Sequence, residues 1–149
     1  MFDEVIVSTD DADIVTISVK EGAKIWYRSP DDGTKGTQQV TTDVLIGWSH
    51  AKVACCLYAT APLLSLQHLE MGRLNVQGEY AWSAYSYATH RWRDAGQFYW
   101  GHADAFREGV PLDHWSTLRV DVGADRYCDI NTEDDWKRAE TMYQQLKGT

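Results

Sequence analysis

Three short stretches of this chain place oxygen-bearing side chains directly after strand-like runs. In the first, Ser8, Thr9, Asp10 and Asp11 follow Val5-Ile6-Val7. Hydroxyls and carboxylates at such a point suit contact with a nucleoside or a metal ion. In the second, Tyr58-Ala59-Thr60 closes the apolar run VACCL. In the third, Asp129 and Asn131 flank Ile130, and in an extended chain both side chains face the same way. An oxygen pair of that kind can hold Mg²⁺, a hard ion that prefers carboxylate and phosphate oxygens. Open α/β sheets bind ligands beyond the C-terminal ends of their strands, and all three stretches fall there. A plainer reading stands beside two of them. Asp10 or Asp11 can cap a helix, as can Asn131 or Thr132, and on spacing alone the cap is favoured at both places.

Other chemistry is absent from the pattern. The five histidines show neither HxxxH nor HxH spacing, so a zinc site is not indicated. No serine sits in GxSxG, and no GxGxxG or GxxxxGK[ST] phosphate loop occurs. One further stretch invites a question. DAGQFYWG, residues 94 to 101, sets Gln97 directly before three aromatics with a glycine on either side. It reads either as a buried aromatic strand or as the wall of a binding site.

These residues need elements to position them. Val5-Ile6-Val7 is a continuous apolar run, the mark of a strand buried on both faces in a parallel sheet. A helix capped by Asp10 or Asp11 follows, with Ile14, Val15 and Ile17 as its apolar positions and Gly22 just past its end. A strand over Lys24 to Tyr27 completes a β-α-β unit at parallel-crossover spacing. The segment from Ser29 to Thr37 is dense in turn formers. Val40, Val44 and Trp48 keep helical spacing. Val53 to Tyr58 reads as a buried strand, and Ser65 as the cap of a helix carrying Leu66, Leu69 and Leu74. Strands over Tyr80 to Tyr87 and Gln97 to Trp100, a short helix at Ala103 to Phe106, and late strands at Leu118 to Val122 and Tyr127 to Ile130 are predicted next. The last helix should begin at Asn131 or Thr132, with Asp134 and Asp135 favoured in its first turn by the helix dipole. Trp136, Ala139, Tyr143 and Leu146 form its apolar stripe.

At 149 residues the chain fits one α/β domain, residues 1 to 149, able to bury a core without disulfides. Its net charge of −8 argues against sequence-independent nucleic-acid binding and against docking on an anionic membrane. No apolar run approaches the roughly 20 residues of a membrane span, and the N-terminus lacks the pattern of a secretion signal. Three cysteines without a CxxC fit a reducing compartment, and a cytoplasmic location is expected.

Four blocks taken together, FDEVIVSTDDADI, LYATAPLL, DAGQFYWG and DINTEDDWKRAETMY, resemble the acylneuraminate cytidylyltransferases, most of all their pseudaminic acid branch. The resemblance implies a Rossmann-like, mostly parallel sheet with flanking helices, of the nucleotide-diphospho-sugar transferase type. It implies an enzyme that joins CTP to a nine-carbon 2-keto sugar acid in the presence of Mg²⁺, releasing pyrophosphate. On the matching positions, Ser8, Thr9 and Asp10 lie by the cytidine half, and Tyr58 and Thr60 by the sugar. Gln97 and Tyr99 line the sugar pocket, with Phe98 and Trp100 behind them as core. Asp129 matches a metal ligand, with Asn131 where the family carries a second carboxylate. Family members commonly form homodimers. The sequence departs from the pattern in three ways. It starts at what resembles the family's second strand, without the glycine-rich basic loop that embraces the CTP phosphates. It is short between AWSAYSY and DAGQFYWG. It reads DIN at the acidic pair. The expectation is therefore an N-terminally truncated cytidylyltransferase of impaired activity, or else a degenerate, non-catalytic homologue acting as a binding or assembly partner.

Overall fold

The computed structural model describes residues 1–29, 34–76, 78, 80–86 and 92–148. The chain divides into two compact units, Met1–Ala51 and Lys52–Thr149.

In the first unit, β1 (Ile6–Thr9) and β2 (Lys24–Tyr27) pair in parallel, with Ile6 opposite Lys24 and Thr9 opposite Tyr27. The crossover is α1 (Ala12–Lys20), so the β-α-β unit forms as its spacing predicts. Asp11 caps α1, its Oδ1 accepting from the amides of Asp13 at 2.8 Å and Ile14 at 2.9 Å. Gly22 follows the helix at φ +84°, a conformation that suits a residue without Cβ. β1 starts one residue later than expected and Val5 is 53% exposed, so the run is not buried on both faces. Ile14 and Ile17 of α1 are exposed as well. The second helix, α2 (Thr37–Gly47), ends where Trp48 meets Trp26 edge-on at 6.0 Å. Residues 30–33, inside the expected loop, lie outside the described residues.

The second unit holds a four-stranded sheet in the order β3-β5-β4-β6. Its strands are β3 (Val53–Leu57), β4 (Tyr80–Ser86), β5 (Trp92–His102) and β6 (Leu118–Asp121). β5 runs antiparallel to β3 and β4, while β4 and β6 are parallel. The expected end of the first aromatic strand, Tyr87, lies outside the described residues, as do residues 88–91 of the short segment that follows. α3 (Leu66–Leu74) is capped by Ser65 and packs its Gly72 on β5. A Cβ at Gly72 would lie 2.6 Å from Trp100 Cδ1 and 2.7 Å from Phe98 Cε2, so close approach requires glycine there. α4 (Ala103–Glu108) buries Phe106 against Tyr80, ring centroids 4.7 Å apart.

α5 (Glu133–Lys147) is capped by Thr132 in a capping box with Asp135. Its buried arc is Ala139, Met142 and Leu146, packed on Leu63, Cys128 and Ile130. Trp136 and Tyr143 are 53% and 46% exposed, which corrects the predicted stripe. The reason is angular: at about 100° per residue the arc centres between Met142 and Leu146, and those two aromatics fall on its rim. Tyr127 to Ile130 is not a strand. The Tyr127 carbonyl accepts from Arg138 at 3.1 Å, and the Ile130 amide donates to the Thr60 carbonyl at 2.9 Å, without a ladder.

Candidate functional site

The DAGQFYWG stretch is β5 itself, and its geometry turns on a bulge. The register of β5 against β4 shifts between Trp82 and Ala84, and Gly96 sits in the left-handed region at φ +59°. Nothing lies within 4 Å of a Cβ built at Gly96, so the backbone angle, not space, selects glycine. In a regular strand, residues five apart point to opposite faces about 17 Å from one another. The bulge undoes that separation. Asp94 Oδ1 accepts from the Gly96 amide at 2.9 Å, and Asp94 Oδ2 accepts from the Tyr99 hydroxyl.

Beyond the bulge the strand's two faces separate. Phe98 and Trp100 lie under α3, as the alternation predicts. Tyr99 faces the other way and meets Tyr58 edge-on, with ring centroids 5.8 Å apart. Burial raises the Tyr58 phenol above its ordinary range, and the neighbouring Cys56, Asp94 and Asp129 add to the shift. Tyr99 is raised further, first by burial and then by its bond to the Asp94 carboxylate. Both phenols stay protonated at neutral pH.

Gln97 is 1% exposed, and its amide donates to the Arg126 carbonyl at 2.7 Å. The Arg126 guanidinium in turn donates to the Leu63 carbonyl at 3.1 Å. The visible work of Gln97 is thus to bracket the segment that leads to Asp129. Thr60 serves the same junction through its carbonyl, which holds Ile130. These bonds bring Tyr58-Ala59-Thr60 and Asp129-Ile130-Asn131 together.

Asn131 Nδ2 donates to Asp129 Oδ2 at 2.9 Å. The helix cap falls to Thr132, whose Oγ1 accepts from the Asp135 amide at 3.2 Å, so neither Asp129 nor Asn131 caps α5 with its side chain. The Asp135 carboxylate accepts from Thr132 and from the Asn131 amide, which holds it below the usual carboxylate range. Among the described residues, no three His, Cys, Asp or Glu side chains gather as a metal cage. Asp129 is exposed and can offer one carboxylate to a Mg²⁺ that takes its other ligands from phosphate and water. For Asn131 to join it, the amide must turn its carbonyl toward the ion.

In the first unit, Asp11 takes the cap and Asp10 does not. Asp10 lies 3.9 Å from the Arg28 guanidinium. Thr9 is buried, and its Oγ1 accepts from the Asp11 amide at 3.1 Å. Ser8 Oγ is buried with no hydrogen-bond partner among the described residues. A depression of about 650 Å³ in this unit is lined by Phe2, Glu4, Val7, Ile17 and Lys24, not by Ser8 to Asp10. Sequence reasoning passed over Asp94. The signal was present: an Asp two residues before a glycine is the pattern of an Asx turn.

A solved CMP:2-keto-3-deoxy-manno-octonic acid synthetase complexed with CTP superimposes with a TM-score of 0.73, covering 96% of this chain and 81% of that one at 12% identity. At that identity the match shows the fold. In sequence, the chain is similar to two pseudaminic acid cytidylyltransferases of Campylobacter jejuni subsp. jejuni, from serotypes O:23/36 and O:2. They are 26% and 27% identical, over 96% of this chain and 79% of theirs. No family profile matches the chain. The resemblance carried by the four blocks thus extends along nearly the whole sequence. The aligned stretch spans 184 residues, more than the 149 of this chain, so the relatives carry internal residues that this chain lacks.

Proposed function

We propose that this protein is a cytidylyltransferase that activates a nine-carbon 2-keto sugar acid, of the pseudaminic or neuraminic type, with CTP. The observation that carries the reading is the likeness to two pseudaminic acid cytidylyltransferases over 96% of the chain. The products are the CMP-sugar and pyrophosphate. A hydroxyl of the sugar acid displaces pyrophosphate at the α-phosphorus of CTP.

In this reading Asp129 holds Mg²⁺, with Asn131 beside it. The ion supplies charge neutralisation at the phosphates. Ser8, whose buried hydroxyl has no partner among the described residues, lies with Thr9 and Asp10 at the strand end assigned to the nucleoside. Tyr58 and Tyr99 form the polar end of the sugar site, and Gln97 and Thr60 hold that end in register. We assign the protein to the cytoplasm, in keeping with its three free cysteines and with the absence, among the described residues, of any helix long and apolar enough to cross a membrane. A homodimer is part of the reading.

A second reading has its own support. The internal residues missing against the relatives, together with the amide at position 131, fit a non-catalytic homologue that binds or assembles without turning over. One assay separates the two. Pyrophosphate release is followed with CTP, Mg²⁺ and either pseudaminic or N-acetylneuraminic acid, and CTP binding is measured alongside. Release that requires the sugar acid establishes the transferase. CTP binding without release establishes the non-catalytic homologue, and neither would sink both.

A further inference from the structure

A phenylalanine could fill the middle of β5 if the ring of Tyr99 were all that mattered there. Tyr99 is 4% exposed and sits opposite Cys56 of β3 and Trp82 of β4, so its backbone is held from both sides. A hydroxyl in such a place costs stability unless it is bonded. The chain meets that need with a departure from regular structure. The bulge turns Asp94 back, and its exposed carboxylate takes the Gly96 amide on one oxygen and the Tyr99 hydroxyl on the other. Tyr99 is thereby pinned at both ends, by the ladder and by the carboxylate. Bulges beside binding sites serve to aim a side chain. The side chain on which this one bears is Tyr58. Its amide donates to the Gln97 carbonyl at 3.0 Å, which carries the pairing of β3 with β5 one residue past the strand. Its half-buried ring stands edge-on to Tyr99.

We infer that Asp94 is a positioning residue of the sugar site: by pinning the Tyr99 hydroxyl it fixes the ring against which Tyr58 packs, and so sets the place at which Tyr58 meets the sugar acid. The inference deepens the sugar-acid reading and rests on it for the identity of the ligand. In this arrangement Tyr58 touches the ligand, Tyr99 supports Tyr58, and Asp94 acts through Tyr99. Two substitutions cut the link at different points. Tyr99→Phe keeps the ring and removes the hydroxyl. Asp94→Ser keeps an oxygen for the Gly96 amide, as serine does in turns, and removes the second oxygen that reaches Tyr99. Because the two residues form one link, the second cut adds nothing to the first.

The test uses the full chain and reads initial rates of pyrophosphate release with CTP, Mg²⁺ and pseudaminic or N-acetylneuraminic acid. Asp94→Ser and Tyr99→Phe should each raise KM for the sugar acid about three- to tenfold, and the double variant no further. Both kcat and KM for CTP should stay within about twofold of the wild type, since the lost contact is one of sugar binding. A sugar KM that does not move overturns the inference, as do losses that multiply in the double variant. So does an equal rise in KM for CTP, which marks a general loosening of the site. A second arm needs no ligand. The ring carbon signals of Tyr58 in NMR spectra of the free protein are identified by their loss in Tyr58→Phe. They should shift when Asp94→Ser is made in the wild type and stay in place when it is made in Tyr99→Phe. Shifts in both backgrounds show Asp94 acting on Tyr58 directly, shifts in neither show no action at all, and either result ends the proposal. A wild type that releases no pyrophosphate with either sugar acid refutes the transferase reading instead, and the Tyr58 signals still decide whether Asp94 positions that ring.

Discussion

Replacing Gly96 by alanine isolates the turn on which the site depends. The residue sits at φ +59°, and a Cβ there meets nothing within 4 Å, so no steric neighbour contributes to the cost. The penalty is that of an L-residue in the left-handed region, about 1–2 kcal/mol. Against it stands a gain of about 0.4–1 kcal/mol, because alanine stiffens the unfolded chain relative to glycine. The expected net loss is about 1 kcal/mol, roughly a fivefold rise in the unfolded fraction. Gly96→Asn should cost about half as much, since asparagine enters this region more readily. Urea unfolding followed by tryptophan fluorescence measures both. Gly96→Ala as stable as the wild type, or Gly96→Asn worse than Gly96→Ala, would refute a left-handed turn at this position. The geometry behind the Asp94–Tyr99 bond would fall with it.

The same chemical change at Gly72 should act by a different route. There the added methyl runs into Phe98 and Trp100, and overpacking is expected to cost about 1–3 kcal/mol in the same unfolding assay, with an asparagine worse still. Thr132→Ala removes the cap of α5 and should lose about 1 kcal/mol, visible as a lowered thermal midpoint. The folded-state pKa of Asp135 is depressed, so its contribution is present above the ordinary carboxylate value of 3.8 and disappears as pH falls through the lower folded value. A pH series of midpoints should show wild type and Asp135→Asn converging in acid, and parallel curves would contradict the assigned bonds. Asp129→Ala should abolish Mg²⁺-dependent CTP binding by calorimetry while leaving the fold intact. Asn131→Asp should tighten Mg²⁺ binding, and unchanged titrations would take the metal away from this edge.

Local signals in the sequence translated well wherever the cause was local. The β-α-β unit forms at its short crossover spacing, and of the cap candidates offered in the sequence the structure uses Asp11, Ser65 and Thr132, each within a few positions of the amides it serves. The opposed faces of β5 also followed from alternation, with Phe98 and Trp100 under α3. What the pattern could not carry was longer-ranged. The Tyr127 to Ile130 run has strand composition, yet the Tyr127 carbonyl is taken by Arg138, a partner visible only once α5 has packed. Trp136 and Tyr143 share a helical stripe with Ala139, but the tertiary contact is centred between Met142 and Leu146. Gln97 was read as a group facing a sugar. Its amide meets a backbone carbonyl 29 residues away, which no spacing announces. Asp94 is the reverse case, a local Asx pattern whose consequence, a carboxylate turned back onto the Tyr99 hydroxyl, needs the bulge to be seen.

The fastening of the turn after β3 carries a dynamic consequence. Thr60 is held through Ile130 and Leu63 through Arg126, while Arg126 is itself held by Gln97 of the central strand. Two irregular segments, neither with a ladder of its own, are laced at points three and four residues apart. Segments tied this way open together, not one bond at a time. The protection of the Ile130 amide against solvent exchange should then follow that of the Gln97 side-chain amide, and loosening either should release both. Tyr58 and Asp129 would be unmade in the same event, so the polar end of the site exists or dissolves as one body.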